Sequence, residues 1–135
     1  MIRCADRTMR DVDLPFWEFC AKDELHMQRC APCGAFQWPP AQACGGCSTP
    51  GGLQWQLLSG RGVLRSACLF ERQYLDECPP PWAVILVELD EGPLMISRPD
   101  GFDAESAADG APVEVRFVPG CDEHGEFRLP VFAQR

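Results

Sequence analysis

The sequence has 135 residues, of which 46% are hydrophobic and 24% charged, and its formal net charge is −8. This balance is typical of a folded globular chain and argues against a disordered one, and no apolar run is long enough for a membrane-spanning helix. An acidic chain neutralises phosphates poorly, which argues against non-specific binding to nucleic acid. The charged start, MIRCADRTMRDVD, lacks the apolar core of a secretory signal, so the predicted compartment is the cytoplasm.

After a polar lead-in, the first predicted element is a short helix over residues 15–24. Asp13 is a plausible cap for its N-terminus, and Phe16 and Cys20 fall on one face of it. Trp17 projects away from that face. A helix this short is not stable alone, so it needs a surface to pack against. Phe16 and Trp17 are therefore either core residues or contacts to a partner protein, and the sequence leaves both interpretations open.

The next feature is the stretch CAPCGAFQWPPAQACGGC, which contains two Cys-x-x-Cys pairs. Each pair can supply two thiolates from one tight turn, and four thiolates complete the tetrahedral coordination that zinc prefers. Nine cysteines without an export signal favour thiolate–metal chemistry over disulfides. We predict one structural zinc site held by Cys30, Cys33, Cys44 and Cys47, with no open coordination position for catalysis.

Other functions for these cysteines fit the sequence less well than a structural zinc site. A thioredoxin-like redox motif has a single Cys-x-x-Cys at the start of a helix, whereas this chain has two pairs. Iron is chemically feasible, since CAPCGAF resembles a rubredoxin knuckle. The remaining cysteines show no ligand spacing and are expected to be free thiols: Cys4, Cys20, Cys68, Cys78 and Cys121. His26 and His124 are expected to be solvent-exposed rather than catalytic.

Beyond a turn-rich joint at residues 48–52, the pattern becomes that of β-strands. The predicted strands are LQWQLLSG, RGVLRSACLFERQYL, WAVILVELDEG, PLMISR, APVEVRFVPG and EFRLPVFAQR. Five or six strands without a long helix suit a small barrel of the OB type, and a small sandwich fits nearly as well. The predicted fold is mainly β, with a lead-in and helix over 1–27, a rubredoxin-like zinc ribbon over 28–52 and an OB-fold domain over 53–135.

Several of these pieces, in this order, resemble one family. They are PFW before the ribbon, WPP between the knuckles, SGRG after LQWQLL, and VELDEG, and they span residues 14 to about 132. The chain resembles the acyl-CoA-associated OB-fold family, once catalogued as domain of unknown function 35, whose members have an N-terminal rubredoxin-like zinc ribbon. It departs from the family pattern at Trp82, where a smaller aromatic is usual, and in the polar segment ISRPDGFDAESAADG.

The resemblance implies an accessory subunit that is not an enzyme alone. Members of the family bind thiolase-like aldolases or lyases, or enoyl-CoA hydratases, and can line the acyl-CoA passage, for example in steroid side-chain degradation. Partner contacts are then expected at Phe16, Trp17, Trp38 and Trp55, because the charge-free stretch 34–60 suits the core of an interface. Arg61 and Arg65 are weak candidates for contacts to CoA phosphates, and an ordinary surface role is the better explanation for each.

Two other functions remain to be weighed. A zinc ribbon followed by an OB barrel also occurs in proteins that bind single-stranded nucleic acid, which need cations interleaved with aromatics. The aromatic stretch here has almost no cations near it, so this is the second choice. An independent small hydrolase is the third, although no nucleophile and base are spaced for it. No nucleic-acid or membrane partner is expected.

Overall fold

The computed structural model describes all 135 residues. The strands and the single helix run, in chain order, as β1 (Ile2–Arg3), α1 (Leu14–Cys20), β2 (His26–Cys30), β3 (Phe36–Gln37), β4 (Leu53–Leu57), β5 (Arg61–Phe70), β6 (Trp82–Leu89), β7 (Leu94–Ser97), β8 (Pro112–Asp122) and β9 (Gly125–Gln134). The prediction of a mainly β chain with one short N-terminal helix is confirmed. No helix in the structure has the length and apolarity needed to cross a membrane.

The six-stranded sheet is a small barrel. β5, β6 and β7 form an antiparallel meander, and β8 returns to pair with the start of β5 while β9 pairs along the length of β8. A parallel bridge between Pro99 and Phe132 brings the end of β7 to β9. This closure is that of the predicted OB-type barrel and excludes the sandwich. β1 lies within the predicted polar lead-in and pairs with the far end of β8.

The barrel interior follows from alternation along the strands. On β6, Ile85, Val87 and Leu89 are buried and the residues between them face outward. They meet Phe132 of β9, which is fully buried. The same core continues into residues of α1 and the ribbon, including Phe16 and Met27. The ribbon and the barrel therefore share one hydrophobic core.

The ribbon is a three-stranded sheet in which β2 lies between β3 and β4. The strand pattern of the sequence predicts residues 53–57 as part of the barrel, but these residues pair with β2 from His26↔Leu57 to Cys30↔Leu53. Local periodicity cannot reveal which strands pair across a gap of more than twenty residues, and for this reason the sequence pattern misplaced β4. We propose a boundary between ribbon and barrel after β4 rather than before it.

The helix is shorter than predicted and ends at Cys20 rather than at residue 24. Asp13 stands at its N-cap, but its side chain makes no capping hydrogen bond. The Asp13 carboxylate instead accepts hydrogen bonds from the Arg10 backbone N–H at 3.0 Å and from Arg10 Nε at 2.9 Å. Segment 101–110 forms turns and bends.

The SGRG motif is explained by close approach between strands. A Cβ on Gly62 would collide with the carbonyl oxygen of Glu88 on β6 and lie 3.0 Å from the Cα of Leu89. Gly60 has a positive φ of 77°, and a Cβ there would collide with the side chain of Val115. Both glycines let β5 cross tightly against its neighbours.

Gly62→Ala is therefore expected to lower the free energy of unfolding by about 1–3 kcal/mol, because the obstruction is backbone and cannot rotate away. Urea denaturation measures this loss. Ser66→Ala, on the exposed face of the same strand, is the matched control and should stay within about 0.5 kcal/mol of the parent. Equal stability of the Gly62 and Ser66 variants would contradict the close packing of β5 on β6.

Candidate metal centre and the aromatic cluster beside it

The two cysteine pairs are presented by two copies of one turn. The N–H of Gly34 donates to the carbonyl of Cys30 at 2.7 Å, and the N–H of Ser48 donates to the carbonyl of Cys44 at 2.9 Å. Each donor is the fourth residue after the first cysteine of its pair, and both have positive φ, 76° and 58°. Glycine adopts this conformation freely and serine less so. The repeated turn brings the sulfurs of both pairs to one point.

The four predicted ligands are together in the structure. The sulfur atoms of Cys30, Cys33, Cys44 and Cys47 all lie within 4.8 Å of one another. Cys30 and Cys47 are 3.6 Å apart, as are Cys33 and Cys44. A disulfide would bring the sulfurs to about 2.05 Å, whereas tetrahedral bonds of about 2.3 Å to one metal place them about 3.8 Å apart. The donor set and its spacing fit one four-coordinate metal ion.

Backbone and hydroxyl donors favour thiolates on the second knuckle. Thr49 Oγ1 lies 3.2 Å from Cys47 Sγ, and hydrogen bonds from the Thr49 hydroxyl and N–H lower the pKa of Cys47 to about 6. The N–H groups of Cys47 and Gly46 lower the pKa of Cys44. Although the N–H of Cys33 also favours the Cys30 thiolate, burial and the neighbouring thiols raise the pKa of Cys30 to about 12. A metal ion at the centre would displace the remaining protons.

The aromatic residues named from the sequence form one cluster between α1, the ribbon and the barrel. Phe16 is only 3% exposed, with its ring centroid 4.6 Å from that of Trp38 and 5.0 Å from that of Trp17. Trp55 lies 5.8 Å from Phe19 on the same helix. Trp17, Trp38 and Trp55 are half-buried and keep part of their surface in solvent. Phe16 is a core residue in this structure and offers no surface to a partner.

The two arginines proposed for CoA phosphates differ in their surroundings. Both are exposed. Arg65 Nη2 lies 2.9 Å from a carboxylate oxygen of Glu88, and Nη1 lies 3.8 Å from one of Asp109. Arg61 forms no ion pair, which leaves its charge available to an anion. The structure does not bring either residue to the metal centre.

Some features were missed from the sequence. His26 was expected to be exposed, but its side chain is 12% exposed and stacks on Phe19 with ring centroids 3.6 Å apart. Its Nε2 lies 2.8 Å from Glu24 Oε1. Thr49, whose hydroxyl lies beside the Cys47 sulfur, could have been recognised from the sequence, because it lies two residues after the last ligand. The buried ion pair of Arg7 and Asp122 joins positions too far apart in sequence for any local pattern to show.

Comparison with known proteins relates both the barrel and most of the chain to one group of proteins. A family model of the C-terminal OB-fold domain of ChsH2 matches residues 55–118. Over 123 residues, or 89% of the chain, the sequence is 30% identical to a probable enoyl-CoA hydratase alpha subunit of Thermomonospora curvata. Over 104 residues, or 76% of the chain, it is 31% identical to the 3-oxo-4,17-pregnadiene-20-carboxyl-CoA hydratase alpha subunit of Mycobacterium tuberculosis. The chain spans about a third of these relatives, 37% of the first and 32% of the second.

The fold is also similar to that of solved structures. A chain of the Ltp2-ChsH2(DUF35) aldolase superposes with a TM-score of 0.80 at 24% identity, covering 96% of this chain and 98% of that one. A protein of unknown function from the DUF35 family of Sulfolobus solfataricus superposes with a TM-score of 0.55 at 15% identity, covering 76% of this chain and 75% of its own. At these identities the likeness establishes the arrangement of ribbon and barrel.

Proposed function

Because this chain belongs to the OB-fold family once catalogued as domain of unknown function 35, we propose that it is a noncatalytic accessory subunit of an enzyme that acts on acyl-CoA thioesters. The observation that carries the proposal is the 30% identity over 89% of the chain to a hydratase alpha subunit. The catalytic partner is a thiolase-like aldolase or lyase, or an enoyl-CoA hydratase. A bulky acyl group such as a steroid side chain fits the second relative, a pregnadiene carboxyl-CoA hydratase subunit.

The proposed role of the ribbon is structural, with zinc as its metal. Four thiolates fill a tetrahedral shell and leave no position for water or substrate, so the centre supports no hydrolytic chemistry. Zinc has no redox activity and is the usual metal of closed thiolate sites. Iron in the same four sulfurs would colour the protein red, so the visible absorption spectrum separates the two metals.

The surface next to the ribbon suits a protein partner. Trp38 and Trp55 are half-buried within the charge-free stretch 34–60, and interface cores are enriched in aromatics and depleted in charge. Trp17 extends this surface onto α1, and these three tryptophans are our proposed partner contacts. Of the two proposed CoA-phosphate contacts, Arg61 is the stronger because Arg65 is already paired with two acids.

Copurification tests the proposal. The tagged chain, expressed in its native host, is expected to recover a catalytic subunit in stoichiometric amount, while the tag alone recovers none. Hydration or retro-aldol cleavage of an acyl-CoA is then measured for the chain, for the recovered subunit and for the recombined pair. We expect no activity from the chain alone and the highest activity from the pair. Full activity of the isolated chain, or tight and salt-sensitive binding of an oligonucleotide, would contradict a noncatalytic subunit.

A further inference from the structure

The free edge of β7 is the feature that the proposed function does not yet use. Leu89 N–H donates to the Pro93 carbonyl at 2.9 Å, next to the pairs Glu88↔Leu94 and Val87↔Met95. Hydrogen-bonded and non-hydrogen-bonded pairs alternate along an antiparallel ladder. Met95 therefore directs its N–H and C=O toward β6, and so does Ser97. Leu94 and Ile96 direct theirs to the opposite side, away from the sheet.

β9 lies on that opposite side but covers only the far end of β7. Phe132 N–H donates to the Arg98 carbonyl at 3.1 Å, and Asp100 N–H donates to the Phe132 carbonyl at 2.8 Å. Two residues earlier on β9 stands Pro130, which has no N–H to donate. The Pro130 carbonyl accepts instead from Ser97 Oγ at 3.0 Å. The barrel consequently stays open beside Leu94 and Ile96.

Two cavities lie along this open edge, and Trp38 lines both. One, of about 490 Å³, lies at the Leu94 end between the ribbon and the β6–β7 turn and is also lined by Phe36. The other, of about 210 Å³, lies at the Ile96 end and is also lined by Trp17. We call the edge 94–97 together with these two cavities the β7 groove. The cavity at the Ile96 end is mainly apolar, and the one at the Leu94 end is mixed polar and apolar. The unpaired backbone groups of Leu94 and Ile96 lie along the edge between them.

The residues of the edge itself carry few of the features that oppose strand addition. Free edges in soluble proteins are commonly short, or carry charges, prolines or bulges that block pairing with another chain. β7 is short and Pro93 and Pro99 stand on either side of it, but its own four residues include no charge and no proline. β7 reads Leu-Met-Ile-Ser, has no bulge, and leaves Leu94 51% and Ile96 66% exposed. An uncharged apolar edge of this kind is the template that an extended peptide uses when it joins a sheet.

The charge of the groove indicates the charge of the segment that would bind there. Arg29 lines the Leu94 end and Arg98 the Ile96 end, and neither forms an ion pair. Arg29 Nε donates only to the neutral carbonyl of Gly34 at 3.0 Å. The one acid in the lining is Glu91, whose carboxylate accepts from Ser59 N–H at 2.8 Å. In a chain of net charge −8 this is a locally basic groove, and it favours an acidic occupant.

We propose that the β7 groove binds an extended apolar segment of the catalytic subunit, bearing at least one acidic residue, which adds to β7 as a further strand. The outward N–H and C=O groups of Leu94 and Ile96 form the new ladder. Apolar side chains of the segment fill the cavities on either side of Trp38, and its acid meets Arg29 or Arg98. This inference rests on the proposed function, since it requires a catalytic partner.

Paired substitutions at one position separate backbone pairing from side-chain contact. Ile96→Pro removes the outward N–H without removing a hydrogen bond to β6, a substitution that edge strands tolerate. Ile96→Thr keeps the N–H and the β-branched shape. With the copurified catalytic subunit as the probe, we expect Ile96→Pro to weaken binding about tenfold or more and Ile96→Thr to weaken it less than about threefold. Equal effects of the two substitutions, or no effect of either, would overturn the inference.

Hydrogen exchange on the unmodified complex provides a second measurement that needs no variant. The amides of Leu94 and Ile96 are expected to exchange at least about tenfold more slowly in the complex than in the free chain. The Met95 amide, already bonded to β6, is the internal reference and should change little. If a catalytic subunit copurifies but the two amides stay unprotected, the strand addition is wrong and the proposed function stands. If no subunit copurifies, both are wrong.

Discussion

Cys44→Ser is expected to abolish metal binding and to unfold the ribbon. We expect one metal ion per chain in the parent protein and less than about a tenth of that in the variant. Folding of a four-cysteine site and metal binding are one equilibrium, worth about 10–16 kcal/mol in zinc-finger peptides. Cys44 is 3% exposed, and its sulfur accepts from the Gly46 N–H at 3.3 Å. A hydroxyl in its place neither ionises nor binds zinc as a thiolate does.

The damage should extend beyond the ribbon because the core is continuous. Leu25, Met27 and Leu58 flank or belong to the ribbon and are buried in the same cluster as Leu89 and Phe132 of the barrel. Loss of the metal loosens the first three and exposes part of the barrel core. We therefore expect a fall in thermal midpoint of more than about 10 °C, and a similar fall when a chelator strips the parent protein.

The control is Cys68→Ser. Cys68 is exposed on β5 and lies outside the four-sulfur cluster, so this variant should keep both its metal and its thermal midpoint. Elemental analysis gives the metal content, and calorimetry gives the midpoint. Unchanged metal content in Cys44→Ser would contradict the ligand assignment, and equal loss in both variants would point to a general effect of removing thiols.

The sequence predicted well those features that depend on residues close together in the chain. The ligands of one knuckle are three residues apart, so one turn determines their geometry and the local sequence is enough to predict it. Strands of the barrel were also predictable, because burial alternates along them, as at Ile85, Val87 and Leu89. The number of these strands and the lack of long helices favoured an OB-type barrel but left a small sandwich as nearly as good a fit, and the strand pairing of the structure decides between them.

What the sequence did not predict depends on pairing at a distance. β4 looks like any other alternating strand, and only its register with β2 assigns it to the ribbon. The opening of the barrel beside β7 depends on Pro130 standing opposite a strand more than thirty residues earlier. Phe16 and Trp17 are adjacent, yet one is core and the other half-buried, because the cluster with Trp38 exists only after the ribbon folds onto the helix.

Asp122→Asn is expected to lower the free energy of unfolding by about 2–3 kcal/mol at neutral pH. The Asp122 side chain has no solvent exposure, and that of Arg7 is 9% exposed. Arg7 donates to the carboxylate from its backbone N–H at 2.9 Å and from Nε at 2.8 Å. Its guanidinium also lies 3.9 Å from the ring centroid of Phe127 and 5.0 Å from that of Trp17. Neutralising Asp122 leaves a buried cation without its counter-charge, which is strongly destabilising.

The effect of this substitution should depend on pH in one direction. The hydrogen bond from the Arg7 side chain is the main reason that the pKa of Asp122 is lowered to about 2, assisted by the N–H groups of Arg7 and His124. The unfolded value is near 3.9. A lowered pKa contributes stability that is complete above pH 4 and disappears as the pH falls toward 2. The difference between the parent and Asp122→Asn should therefore shrink by up to about 2 kcal/mol over that interval.

Urea denaturation of both proteins between pH 5 and pH 2.5 measures this difference. Acid also weakens thiolate–metal binding, but both proteins carry the same ribbon, so that loss cancels in the comparison. Glu88→Gln is the matched isosteric control: the pair of Glu88 and Arg65 is 42% and 43% exposed, and exposed pairs contribute less than about 1 kcal/mol. Arg7 precedes the helix, and Asp122 lies at the end of β8, next to the β8–β9 turn. A large, acid-sensitive loss of stability in Asp122→Asn alone would therefore show that this ion pair holds the N-terminal arm against the barrel. Equal losses in the two variants would mean that the burial of the pair contributes nothing.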